Sequence, residues 1–209
     1  TNNNRPTLSG VAEAGSTVSI LEGGTTLGQA TVGVNGAYSL VVATMADGSH
    51  TLRAKATDDA GNISSASTAL ILVVDTTAPG VLTLTGTSPS STSTPVISGV
   101  AEANATVTIL AGGQALGQAS ADAGGNYTFT PGSPLGDGTH LLSATATDAA
   151  GNTGTASAVF SLLIDTGVPG SPVLSVTQAI TNDNKPVIGG TAEAGSTVSI
   201  YRGNTQLGQ

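Results

Sequence analysis

The stretch that decides the fold is GVAEANATVTI at residues 99–109, because it occurs three times: as GVAEAGSTVSI at residues 10–20 and as GTAEAGSTVSI at residues 190–200. The copies start 89 and 91 residues apart, and self-similarity at a fixed period is the mark of tandem structural units. Working outward, other words keep the same register. LGQ recurs at Leu27, Leu116 and Leu207, DG-x-H at Asp47 and Asp137, ATD-x-AGN at Ala56 and Ala146, and DT-x-x-PG at Asp75 and Asp165. TNNNRP at Thr1 matches TNDNKP at Thr181. The register therefore places residues 1–75 as a repeat lacking its first strand, 76–165 as a complete repeat, and 166–209 as the N-terminal half of a third.

Within a repeat the apolar residues alternate with a period of two. In the middle unit Val107 and Ile109 alternate with Thr106 and Thr108, Leu142, Ala144 and Ala146 with Ser143 and Thr145, and Phe160, Leu162 and Ile164 with Ser161 and Leu163. This is the pattern of half-buried strands. Turn signals at Gly112-Gly113, Gly124-Gly125-Asn126, Asp137-Gly138 and Ala150-Gly151-Asn152 punctuate it. The reading predicts seven strands near residues 81–86, 95–101, 105–111, 115–121, 126–131, 139–147 and 155–164. Seven short strands in about 90 residues predict an all-β, immunoglobulin-like sandwich, repeated in tandem.

Composition narrows the function classes. The chain of 209 residues has no cysteine, so no disulfide braces it, and only three Tyr and two Phe are available to anchor its cores. With 13 acidic against 5 basic residues the net charge is −8, which offers no electrostatic footprint for nucleic acid. The longest purely apolar run, residues 69–74, is far below the roughly 20 residues that span a bilayer, so no membrane insertion is expected. No set of nucleophile, base and orienting group can be assembled from the repeated words, and an enzyme is not expected. His50 and His140 share one slot after an Asp-Gly turn, where a structural corner is the better reading.

The AEAGSTVSI, LGQA, DG-x-H-x-L, ATD-x-AGN and DT-x-x-P series resembles the bacterial immunoglobulin-like repeats of very large surface adhesins exported by type I secretion. The resemblance covers the whole chain. It implies an extracellular or cell-surface stalk of tandem sandwiches, with neighbouring repeats of the same chain as partners and calcium at the junctions. A host-surface or biofilm-matrix ligand would lie outside this stretch. As calcium ligands the resemblance carries over the linker Asp and the Asp of ATD-x-AGN, represented by Asp75, Asp148 and Asp165.

Comparison of the repeats adds the Glu of AEAG. Nine acids hold repeated slots: Glu13, Glu102 and Glu193; Asp47 and Asp137; Asp58 and Asp148; Asp75 and Asp165. If the seven strands alternate in direction, Glu102, Asp148 and the linker Asp75 meet at one end of the middle repeat. Hard divalent cations favour carboxylate and carbonyl oxygens, so calcium is the expected ion. Asp165 with Glu193 would form a second site, and Glu13 with Asp58 half of another. The alternative is that each Asp serves its own turn by accepting backbone amides two residues on. A further alternative makes the repeats a ligand-binding module for a glycan, a host protein or a second copy; such a face usually shows exposed aromatic or Arg anchors, of which this chain offers few, and Arg53 and Lys55 have no counterpart in the next repeat, where Ser143 and Thr145 stand instead.

Overall fold

The computed structural model describes residues 1–176, 182 and 184–209; Thr181 and Asp183 of the TNDNKP copy lie outside them. Among the described residues every regular element is a β-strand, and every ladder is antiparallel. The chain divides into two compact units, Thr1–Ile164 and Asp165–Gln209.

The first unit contains two sandwiches in series. The first sandwich comprises β1 (Thr7–Val11), β2 (Thr17–Glu22), β3 (Thr25–Thr31), β4 (Ala37–Val41), β5 (Gly48–Thr57) and β6 (Leu70–Val74), arranged as a β3-β2-β5-β6 sheet and a β1-β4 pair. The second has β7 (Thr85–Gly86), β8 (Ile97–Val100), β9 (Thr106–Ala111), β10 (Gln114–Ser120), β11 (Asn126–Phe129), β12 (Gly138–Thr147) and β13 (Phe160–Ile164). Its sheets run β10-β9-β12-β13 and β11-β8-β7, the same plan with one strand more. These are tandem immunoglobulin-like β-sandwiches, and each has its own core.

Alternation decides which side chains enter those cores. Val107 and Ile109 of β9, Leu142, Ala144 and Ala146 of β12, and Leu162 and Ile164 of β13 are buried, and they meet Ile97, Tyr127 and Phe129 from the opposite sheet. Val18, Ile20, Leu40, Leu52 and Val74 do the same in the first sandwich. Burial of such aliphatic side chains is worth about 1.5–3 kcal/mol each, and with so few aromatics it is the main source of stability. Gly117, at a bulge in β10, leaves room for the Phe129 ring: a Cβ there would lie 2.7 Å from Phe129 Cε2.

The first and last predicted strands of the middle repeat differ from what is observed. Of residues 81–86 only Thr85 and Gly86 join a ladder, although Leu82 is buried and the Thr83 amide donates to the Val100 carbonyl at 2.9 Å. Of residues 155–164 only Phe160–Ile164 is a strand. Side chains close the gap before it, since Ser157 Oγ accepts the Ala144 amide at 3.0 Å while its own amide donates to the Ala144 carbonyl at 2.8 Å. Ser64 and Ser67 treat Ala56 and Ala54 of β5 the same way, each hydroxyl accepting at 2.9 Å. A hydroxyl thus replaces a main-chain carbonyl, and the segment follows the sheet without extending its ladder.

In the second unit β14 (Val173–Val176) pairs with β15 (Ile188–Thr191), and β16 (Ile200–Arg202) forms a hairpin with β17 (Thr205–Gly208). None of its described residues is buried. Val173, Leu174, Ile188 and Ile200 line an open apolar groove instead.

Candidate functional site

A polar network that involves predicted site residues surrounds the linker between the two sandwiches, residues 75–77. The loop before β5 places Asp47 beside it. Asp47 Oδ1 accepts the Thr76 amide at 3.0 Å and the Thr76 hydroxyl at 2.9 Å, while Oδ2 accepts the Thr77 hydroxyl at 3.0 Å. Asp75 folds its carboxylate back onto the Thr77 amide at 3.0 Å. From the other sandwich, Asn152 Nδ2 donates to the Asp75 carbonyl at 2.8 Å and to Asp148 Oδ2 at 2.7 Å. Asn2 of the first sandwich reaches across to donate to the Gly151 carbonyl at 3.1 Å. The linker is held from both sides.

The Asp148 loop is built locally. Its Oδ1 accepts the Gly151 amide at 2.7 Å and the Asn152 amide at 2.9 Å, and Gly151, with φ of 96°, takes the left-handed conformation this tight return requires. Hydrogen bonds from the Asn152 side chain, followed by those from backbone amides, hold Asp148 below the ordinary carboxylate range against a desolvation effect that raises it. Asp58 is lowered for the same reason by Asn62, whose amide reaches Oδ1 at 2.8 Å and whose Nδ2 reaches Oδ2 at 2.8 Å. Asp122 and Asn126 form a third clasp of this Asp-x-x-x-Asn type, with the Asn126 amide as the main influence on Asp122. Asp47 is lowered first by the Thr76 hydroxyl.

The seven predicted metal residues fall in different places. Asp75 and Asp148 come together through Asn152, by the carbonyl of one and the carboxylate of the other. Glu102 has an exposed side chain, and its main-chain carbonyl accepts the Ala105 amide at 3.1 Å. Glu13 and Asp58 line one shallow groove at the corresponding end of the first sandwich. In the second unit Asp165 accepts the Gly167 amide at 3.1 Å, and Glu193 Oε2 accepts the Gly170 amide at 3.2 Å. Among the described residues no three His, Cys, Asp or Glu side chains gather in a way that could hold a metal ion. The junction does place two oxygens, Asp75 O and Asp148 Oδ2, around one amide nitrogen, and oxygen donors of this kind suit a hard cation. At the junction the structure thus joins Asp75 and Asp148 through the Asn152 side chain, without the three-carboxylate cluster that strand parity predicts.

Two residues that the sequence reading left out carry much of this network. In the sequence Asp47 reads as an Asp that serves its own turn before Gly48, and Asn152 as part of the turn in AGN. The available signal was the recurrence of Asn62 and Asn152 in one slot, as regular as that of the acids. The histidines take the corner role: Nε2 of His50 donates to the Ala46 carbonyl at 2.8 Å, and Nε2 of His140 to the Gly136 carbonyl at 2.8 Å. His50 also places Nδ1 2.9 Å from Glu22 Oε1. The Ala46 hydrogen bond first, then Glu22, raise its pKa against burial. In the second sandwich Ala111 occupies the Glu22 slot.

A model described as "bacterial Ig-like domain" matches residues 1–76 and 85–166. Among curated proteins none matches the sequence. Similar solved structures include a biofilm-associated protein BSP domain, 20% identical over 80% of this chain with a TM-score of 0.35. Another is a putative membrane-anchored protein from Corynebacterium diphtheriae, 12% identical over 81% with a TM-score of 0.37. This chain spans 29% of the first and 52% of the second.

Proposed function

Because the chain belongs to the bacterial Ig-like domain family, we propose that it is a stalk segment of a bacterial surface adhesin, in which neighbouring repeats are locked end to end to project a distal adhesive region outside the cell. The observation that carries this reading is the grip on residues 75–77, by Asp47 from one sandwich and Asn152 from the other. A flexible linker would leave its backbone to solvent. Here its amides and carbonyls are bound by side chains of both neighbours, which restricts the rotations that would let the sandwiches swing. No helix among the described residues is long and apolar enough to cross a membrane.

Calcium is the second part of the proposal. Asp148 and Asp75 would hold it together with nearby loop oxygens, and the ion would supply a positive charge beside carboxylates that the clasp meets only with neutral N–H and O–H donors. The test is small-angle scattering on the chain in calcium and in chelator, for wild type, Asn152→Ala and Asp148→Ala. A longer particle in calcium, shortened by Asp148→Ala, supports calcium stiffening. A length indifferent to chelator but reduced by Asn152→Ala supports the clasp alone. Equal curves for all three proteins would remove the stalk reading.

A further inference from the structure

The outer face of the β3-β2-β5-β6 sheet carries a feature that the junction does not use. Arg53 and Lys55 lie two apart on β5, so both project from the solvent side while the alternate residues Leu52 and Ala54 face the core. They line an open groove of about 520 Å³ with Leu21, Gly23, Gly24 and Thr51. Two of the five basic residues of a chain with net charge −8 are therefore on one small face. One guanidinium nitrogen of Arg53 donates to the Ser67 carbonyl at 2.8 Å, which fixes the head of a residue that remains exposed. Glu22 on the adjacent strand is engaged by His50 at 2.9 Å. Cross-strand neighbours add polar groups: Ser19 stands opposite Lys55, and Gln29 donates to Ser19 Oγ at 2.8 Å. The second sandwich has the same face without the charges, with Ser143 and Thr145 in these slots.

We propose that this groove binds an acidic polysaccharide, with Arg53 and Lys55 taking carboxylates of the polymer and Thr51, Ser19 and Gln29 its hydroxyls. The chemistry favours a carbohydrate over a protein. A protein interface is normally anchored by buried aromatic or apolar side chains in a well-packed centre, whereas this groove offers two cations, the Thr51 hydroxyl and the bare backbone of the Gly23-Gly24 turn, with Ser19 and Gln29 beside it on the same sheet and Leu21 as its one large apolar side chain. Guanidinium pairs with carboxylate in bidentate fashion, and hydroxyl and amide groups match sugar hydroxyls. The rest of the chain carries 13 acidic residues against three basic ones, which disfavours a polyanion elsewhere, and binding should weaken with salt. This inference is independent of the stalk reading, which scattering tests separately.

The test is titration of the whole 209-residue chain with oligogalacturonate, followed by calorimetry and by amide NMR shifts, beside a neutral malto-oligosaccharide and poly-glutamate. The comparison protein is Arg53→Ser with Lys55→Thr. The second sandwich already folds with those residues in the same slots, and a thermal melt checks the variant. Saturable oligogalacturonate binding is expected at low salt, with shifts centred on Gly23, Gly24 and residues 51–55, no response to the neutral sugar, and affinity about tenfold or more weaker in the variant. Absence of binding, shifts mapped elsewhere on the wild-type chain, or undiminished affinity in the folded variant would overturn the site. Equal or stronger binding of poly-glutamate would overturn the carbohydrate assignment.

Discussion

The two sandwiches of the first unit follow one plan and differ along one edge. In the second, residues 79–86 lie against β8 and close the gap between the sheets. Leu82 is 2% exposed, and Tyr127 is 3% exposed with its hydroxyl donating to the Thr83 carbonyl at 2.6 Å. Ala144 and Ala146 beneath them are completely buried. In the first sandwich Tyr38, Ala54 and Ala56 occupy the same slots and are only partly buried, lining an open groove with Val18. One short segment, barely hydrogen-bonded as a strand, thus completes a core. The fit is tight at Gly154, where a Cβ would collide with the Pro79 carbonyl.

The largest break in this comparison is expected from Leu82→Ala. It should destabilise the second sandwich by about 2–4 kcal/mol through lost burial and a residual cavity and leave the first unchanged, which urea melts followed by residue-resolved NMR can separate. Gly154→Ser should cost about 1–3 kcal/mol by overpacking against Pro79, although serine is well accommodated at position 64, the same slot of the first sandwich. Tyr127→Phe removes the bond to Thr83 and should cost about 1 kcal/mol. Tyr38→Phe in this 209-residue chain should change the melting curve much less. If the two tyrosine variants proved equal, residues 79–84 would have to be loosely attached.

The smallest expected effect is a pH dependence confined to the first sandwich. With Nε2 donating to Ala46 and Nδ1 facing a carboxylate, the protonated ring of His50 satisfies both partners, and its folded pKa lies above the ordinary 6.5. A raised folded value stabilises the fold fully below the unfolded pKa, and the contribution is lost as pH rises through the folded one. Melts of wild type at pH 6 and pH 8 should therefore show a loss at the higher pH that shrinks in Glu22→Gln. An equal slope in the variant would assign the effect to another group.

Much of this was legible in the sequence for a physical reason. Strand alternation is a local property, and the repeated positions of Val107, Ile109, Leu142 and Leu162 needed no knowledge of partners to be read as core. The corner histidines were legible because a slot that recurs after Asp-Gly must satisfy a local geometry. The junction was only half legible. Asp47 meets Thr76 and Thr77 across about 30 residues, and nothing local distinguishes an aspartate that caps its own turn from one that also binds a distant linker. Glu102 shows the opposite limit: strand parity brings a loop to the correct end of a sandwich but does not say where a long side chain will point.

The hydroxyls of Ser64, Ser67 and Ser157 have a consequence for how such a protein is assembled. The C-terminal halves of β5 and β12 extend beyond their partners β6 and β13, and an open row of amides there would be a template for any matching strand. In a chain of similar units the best-matching strand is in the next copy, and exchange between copies is a characteristic failure of repeat proteins. Ser64 and Ser67 seal those amides from only 8 and 13 residues away in the chain. Each unit can therefore close its own edge before its successor has emerged to compete for it.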